Sequence, residues 1–170
     1  MMIIYRYSQG TATTPRPCNN NIKVVFTMIK LNNKIKVVIP KENNDGKAIN
    51  CSIIECSLST VTGILGGATT YNGEGQWVSS NGHLMTDNIS VVEWSYNLTE
   101  LMEEGKLKHV ACFISWIVDS LISFHDQEAV SVEADGILYI IDKNDIAGTD
   151  GSTDSDKATD LIKAIMEGKC

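Results

Sequence analysis

The longest periodic segment of the chain runs from Leu107 to Phe124. Apolar residues recur there at spacings of three and four, as expected for one face of a helix. Trp116, Val118 and Ile122 widen the apolar surface beyond that face. The pattern therefore predicts a helix over Leu107–Phe124 that is buried on two sides or lies at a subunit contact.

Two further segments have helical spacing. A turn at residues 43–46 precedes apolar positions that predict a helix over Gly46–Thr62, with Gly63 as its C-terminal stop. A short helix over Ala158–Glu167 is predicted to close the chain. The segment Asn97–Gly105 has a polar composition and is predicted to be a link without regular structure.

Short β-branched or alternating segments predict the strands. They are Met1–Tyr7, Ile22–Leu31, Ile35–Pro40, Ile89–Tyr96, Ala129–Glu133 and Ile137–Ile141. Turns are expected at residues 32–33, 80–82 and 135–136. The glycine-rich stretch 66–78 has neither a phosphate-loop lysine nor the strand-then-helix context of a dinucleotide site, so its glycines are predicted to mark bends or bulges in an edge strand.

From Ile35 onward the predicted order is β, α, β, β, α, β. This order predicts an α+β, ferredoxin-like fold, with an antiparallel sheet and two helices on one face. Residues 1–21 are predicted to be an N-terminal extension, 22–144 the ferredoxin-like domain, and 145–170 a linker with a C-terminal helix. Met28 is an alternative start of the folded unit.

The composition of the chain argues against several classes of function. The 170 residues carry a formal net charge of −7 and include only two arginines, Arg6 and Arg16, which argues against nucleic-acid binding. The five cysteines show no C-x-x-C spacing, and no apolar run reaches the length of a membrane span. We expect a cytoplasmic protein without a metal site, a cofactor, or contacts with nucleic acid or membrane.

Candidate chemistry is limited to a few polar side chains. Glu74, Asp87, Glu93 and Glu128 are the carboxylates considered for acid–base work, although solvation is the default for any one of them. Asp87 is favoured because it lies across from Trp77 if the residues between them form a hairpin. The three histidines lack metal-ligand spacing, and no nucleophile elbow occurs.

A run of short motifs resembles a known family. The run comprises Ile39-Pro40, Asn44-Asp45-Gly46, a helix, Gly66-Gly67-x-Thr69, Gly75-Gln76-Trp77, Asn81-Gly82 and a carboxylate that opens a strand. It is similar to the phage-type S-adenosylmethionine (SAM) lyases. A bacterial uncharacterised family shares the Gly-Gln-Trp motif and the later Gln127-Glu128-Ala129-Val130. The resemblance covers about Ile35 to Ile141.

The resemblance implies a fold similar to the PII-like signalling trimers, with ligand sites between neighbouring subunits of a homotrimer. It also implies cofactor-independent cleavage of SAM, or of its adenylated conjugate SAM-AMP, to a methylthioadenosine product and homoserine lactone. The family's catalytic glutamate matches Asp87 by position. The aromatic residue before the turn matches Trp77 or the neighbouring Gln76.

The candidate site therefore has two groups of residues. Asp87 and Gln76 are expected to be catalytic, and the expected substrate-binding residues are Tyr71, Glu74, Trp77, Lys36 and Glu128. Aspartate in place of glutamate shortens the side chain by about 1.5 Å.

This shorter side chain favours an alternative, a PII-like module that binds a small ligand without turnover. A third hypothesis is a purely structural oligomer built on the apolar helix Leu107–Phe124. A small cationic sulfonium suits the acidic chain better than a phosphodiester, although Lys34, Lys36 and Lys41 are available as point charges.

Overall fold

The computed structural model describes residues 29–78 and 82–170. The strands are β1 Asn33–Pro40, β2 Thr69–Val78, β3 Leu84–Tyr96, β4 Ala129–Ala134 and β5 Ile137–Asp142. The helices are α1 Ser52–Leu65, α2 Leu98–Glu103, α3 Leu107–Phe124, α4 Lys143–Ile146 and α5 Ser155–Met166.

All five strands form one antiparallel sheet in the order β2-β3-β1-β4-β5. The first four strands have the arrangement of a ferredoxin-like fold, and β5 extends the sheet beside β4. The sequence-based fold prediction is therefore confirmed. β2 lies at the edge of the sheet, as expected for the glycine-rich stretch.

The two faces of the sheet differ because side chains alternate along each strand. On β1, Ile35 and Val37 are fully buried towards the helices, whereas Lys36 lies on the opposite face. We call this opposite face the open face, since among the described residues no helix is packed against it. The open face positions the candidate site.

α3 is the central helix of the core. It packs against α1 on one side and α5 on the other, and it also contacts β4. Burial within one chain accounts for Val118 and Ile122, whereas Trp116 lies exposed on the surface of the chain. By length and composition α3 is apolar enough to cross a membrane, but more than half of it is buried inside this fold.

The helix bounds correct several expectations. α1 begins at Ser52, not at Gly46, because Gly46 has a positive φ of 74° within a tight turn. It ends at the left-handed Gly66, and Gly63 lies inside the helix. The expected polar link contains α2, whose first turn is capped by the Asn97 side chain.

The C-terminal segment also contains more helix than expected. Asp142 caps α4, and Asp154 caps α5, which therefore begins three residues before the predicted Ala158. Buried Ile162 and Ile165 pack α5 against α3.

Some expectations lie outside the described residues. These are the strand at Met1–Tyr7, the extension 1–21, most of the strand Ile22–Leu31 and part of the turn at 80–82. Residues 29–32, which are described, have no strand. The division of the chain at residues 22 and 144 stays a prediction.

Candidate functional site

The hairpin of β2 and β3 extends beyond the rest of the sheet. The last backbone hydrogen bond that reaches β3 from the β1 side runs from Lys41 N to Asn88 O. Beyond it, Gly75–Val78 pairs with Leu84–Asp87 as a two-stranded ribbon, which we call the arm. The arm carries four exposed apolar side chains: Trp77, Val78, Leu84 and Met85. A solvent-exposed two-stranded ribbon of this kind is stabilised only weakly by contacts within its own chain.

Asp87 and Trp77 meet on this arm. Asp87 lies directly opposite Gly75, and Trp77 lies opposite Met85, so the two side chains are diagonal neighbours on the open face. The indole Nε1–H of Trp77 donates a hydrogen bond to Asp87 Oδ2 over 3.0 Å. The predicted proximity is therefore present. Asp87 lies within β3, however, and not at the entrance of a strand.

The glycines of β2 leave space beside this pair. The register from Thr69 to Val78 is continuous, so β2 has no bulge at Gly73 or Gly75. The prediction of bends or bulges applied mainly to Gly66 and Gly67, which precede β2, and Gly66 ends α1 in the left-handed conformation. A Cβ added at Gly75 would lie 3.5 Å from the side chain of Ile89, in ordinary contact. Residue 75 thus tolerates a side chain sterically, but its lack of one keeps the surface beside Asp87 open.

A cavity of about 320 Å³ lies between the arm and the connection from α3 to β4. Its apolar lining includes Val38, Ile89 and Ile140 of the open face. Two carboxylates, Asp87 and Glu128, line it as well, and no lysine or arginine does within the described ranges. A cavity with this lining favours a ligand that carries positive charge and some apolar surface.

Four of the seven predicted site residues line the cavity, namely Gln76, Trp77, Asp87 and Glu128. Gln76 contributes to the wall, but strand alternation places its side chain on the face opposite Trp77. There its Nε2 donates to Glu74 Oε1 over 3.2 Å. Glu74 is not among the lining residues.

Tyr71 and Lys36 lie farther along the open face. Tyr71 shares the face of Trp77 but is six residues away along β2, or about 20 Å. Lys36 Nζ lies 2.7 Å from Glu133 Oε1 and 3.7 Å from Glu93 Oε2. The hydrogen bond to Glu133 raises the pKa of Lys36 above its ordinary value. Neither Tyr71 nor Lys36 lines the cavity.

Glu93 belongs to the same charge cluster. It also accepts a hydrogen bond from Lys34 Nζ over 2.7 Å, and this bond lowers the pKa of its carboxyl group. Glu93, one of the four carboxylates considered from the sequence, is thus engaged in structural ion pairs.

Two lining residues, Asn44 and Gln127, were not singled out by sequence reasoning. Asn44 had been assigned to a turn and to a motif of the resemblance, and Gln127 only to a motif of the resemblance, without a role at the site. They line the same cavity as the arm residues because the fold brings distant segments together, and the local sequence carries no signal for this. In the described part of the chain no three His, Cys, Asp or Glu side chains are grouped as a metal site.

Known proteins similar to this chain are found among solved structures. No protein-family model and no curated protein matches the chain. One similar solved structure is a phage SAM lyase in complex with S-methyl-5'-thioadenosine, with 17% identity and a TM-score of 0.45, covering 69% of this chain and 96% of that one. Another is a phage SAM lyase in its apo state, with 19% identity, a TM-score of 0.44 and the same coverage.

Proposed function

We propose that this chain is a lyase that cleaves SAM to methylthioadenosine and homoserine lactone in the cavity beside the arm. The observation that carries the proposal is the Trp77–Asp87 pair in the wall of an anionic, partly apolar cavity. The motif resemblance supports this reaction, and the lining of the cavity supports the binding of a sulfonium cation there.

The reaction requires little chemistry from the protein. A carboxylate oxygen of the substrate attacks its own γ-carbon and forms a C–O bond. The bond between that carbon and sulfur breaks, and its electron pair stays on sulfur, which leaves as a neutral thioether. No proton is transferred and no oxidant is needed, so the protein acts mainly by holding the substrate in the ring-closing geometry.

The side chains of the cavity fit the sulfonium. The indole face of Trp77 attracts a cation, and the Asp87 carboxylate adds a full negative charge next to it. Glu128 is positioned in the same cavity, where it can pair with the substrate's ammonium group. The apolar floor suits the adenosine portion.

Asp87 is expected to act chiefly on binding. The positive charge on sulfur disappears as the C–S bond breaks, so a carboxylate aimed at sulfur stabilises the bound substrate more than the transition state. Its contribution should therefore appear mainly in KM. The hydrogen bond from Trp77 fixes the carboxylate in place and so offsets part of the shorter reach of aspartate.

The charged groups around the cavity support SAM over SAM-AMP as the substrate. A phosphodiester needs cationic partners, and two of the three lysines considered for this purpose, Lys34 and Lys36, are paired with Glu93 and Glu133. Lys41 is not among the residues that line the cavity. We therefore propose SAM as the substrate.

We also propose a cytoplasmic homotrimer with each site completed by a neighbouring subunit. Asp87 and Glu128 are exposed in the single chain, so one wall of the cavity is open to solvent. Large apolar side chains are exposed on the open face and the arm, including Tyr71, Trp77 and Leu138. Exposed apolar surface of this kind is typical of protein interfaces.

A second candidate function is ligand binding without turnover by a PII-like module. Asp87 stands where the resembling family has glutamate, and one of its oxygens already accepts the Trp77 hydrogen bond. Calorimetric titration with SAM, followed by chromatography of the same sample, separates the two functions. Binding with products supports the lyase, binding without products supports the module, and no binding contradicts both.

A further inference from the structure

The connection between β1 and α1 folds back on itself as a small turn over residues 41–49. Glu42 and Ala48 form an isolated antiparallel bridge, and Asn43 N donates to Lys47 O over 2.8 Å. The side-chain oxygen of Asn43 accepts from two backbone N–H groups of the same turn. The turn is therefore internally ordered, and it presents Asn44 at its tip.

Asn44 reaches a distant segment of the chain. Its Nδ2 donates to the backbone oxygen of Asp126 over 2.6 Å, across 82 residues of sequence. Asp126 has a positive φ of 54° at the end of α3, where Gln127 N also donates to Leu121 O. The bond from Asn44 thus acts on a connection in which Asp126 has a left-handed conformation, which is uncommon for residues other than glycine.

The residues that follow Asp126 line the cavity. Gln127 and Glu128 form part of its wall, and Asn44 contributes to the same wall. Asp87 lies in the wall on the arm side. A single side-chain hydrogen bond therefore links the β1–α1 turn to the segment that carries the second carboxylate of the site.

We propose that Asn44 is a positioning residue, whose amide holds the α3–β4 connection so that Glu128 stays in the cavity wall. The expected effect of Asn44 on substrate binding rests on the proposed function. Glu128 contacts the substrate in this account, and Asn44 acts through it. Since Asn44 itself is exposed and lies outside the core, its removal changes the connection without creating a cavity in the fold.

The test compares Asn44→Ala and Asn44→Asp with Asn50→Ala, a matched control. Asn50 is an exposed asparagine of the same β1–α1 connection and does not line this cavity. Hydrogen exchange of the peptide over residues 125–129 is measured without ligand, and thermal unfolding verifies the fold of each variant. Asn44→Asp keeps the size of the side chain but removes the donor, so it serves if the alanine variant unfolds.

Loss of one such bond should speed exchange of this peptide by about fivefold in both Asn44 variants, with no change in Asn50→Ala. The KM for SAM should rise by about fivefold while kcat stays within about twofold. In a Glu128→Gln background, Asn44→Ala should add nothing to KM, because both changes remove the same contact.

Two results would overturn the proposal: unchanged exchange over residues 125–129, or additive effects of Asn44→Ala and Glu128→Gln on KM. If the wild-type protein binds SAM without turnover, the dissociation constant replaces KM in the same comparison. If it does not bind SAM, the proposed function fails, and the exchange measurement alone decides whether Asn44 holds the connection.

Discussion

The indole of Trp77 and the carboxylate of Asp87 are joined across two strands by a 3.0 Å hydrogen bond. Their positions are diagonal in an antiparallel register, and the residue directly opposite Asp87 is Gly75. The pair therefore presents an aromatic face and a negative charge together, next to a position that has no side chain. This combination suits a cationic ligand, such as the sulfonium of the proposed substrate.

The charge of Asp87 should be essential for substrate affinity. Asp87→Asn keeps the shape and removes the charge, and it should lower kcat/KM for SAM by about tenfold or more, mainly through KM. Asp87→Glu keeps the charge and should retain more activity than Asp87→Asn. Asp160→Asn, at an exposed position on α5, is the matched control and should match the wild type. Unchanged kinetics in Asp87→Asn would contradict the site.

Trp77 should contribute through its ring. Trp77→Ala removes the aromatic face and should raise the KM for SAM by about fivefold, whereas Trp77→Phe keeps a ring and should have a smaller effect. Trp116→Phe is the control, because Trp116 on α3 is also 40% exposed but lies outside the cavity. Steady-state kinetics on the three variants decide this point, and equal KM values in all of them would remove Trp77 from the site.

The open face should mediate self-association. Leu138→Lys places a charge on an exposed apolar position of β5, and it should convert a trimer of 18.6 kDa chains into monomers. Ile53→Lys, at an exposed position on α1, should leave the trimer intact. Sedimentation equilibrium measures both masses. A monomeric wild type would refute the shared-site arrangement.

The charge cluster on the open face should make stability depend on acid pH. The hydrogen bond from Lys34 lowers the pKa of Glu93 below its ordinary value, so the stabilising effect of its negative charge is fully present above that ordinary value. As pH falls through the lowered pKa, Glu93 is protonated and the effect is lost. Near neutral pH, the wild type should therefore have a higher Tm than Glu93→Gln. This difference should shrink as the pH falls below the ordinary pKa of a glutamate side chain, about 4.3.

Thermal unfolding between pH 3 and pH 7 checks this dependence. Glu103→Gln, at an exposed position of α2, provides the comparison, since it should show no such convergence with the wild type. A Tm difference between Glu93→Gln and wild type that stays constant over the whole range would show that the ion pairs do not stabilise the fold.

The sequence predicted those elements whose signal is local. The bounds of α3 were right because its apolar spacing is continuous, and the Asp135-Gly136 turn was right because both residues adopt positive φ there. α2 was missed because the polar composition of the segment indicated a link, and the Asn97 side chain was not recognised as a helix cap. The start of α1 was misplaced because Gly46, assigned as a cap, belongs to a turn.

In the candidate site, too, only contacts between adjacent segments could be predicted from the sequence. Trp77 and Asp87 meet through a hairpin, whose register follows from adjacent strands, so sequence reasoning found them. Alternation along β2 also separates Glu74 and Gln76 from Trp77, which sequence reasoning had grouped together. Asn44 contacts Asp126 across 82 residues, and only the folded sheet and helices place those two segments side by side.

The most direct test of the central claim is product analysis after incubation of the purified protein with SAM. Chromatography should detect methylthioadenosine and homoserine lactone in equal amounts, formed without added metal or cofactor, and their formation should be strongly reduced in Asp87→Asn. Absence of both products at high protein concentration, with the protein folded, would contradict the lyase assignment.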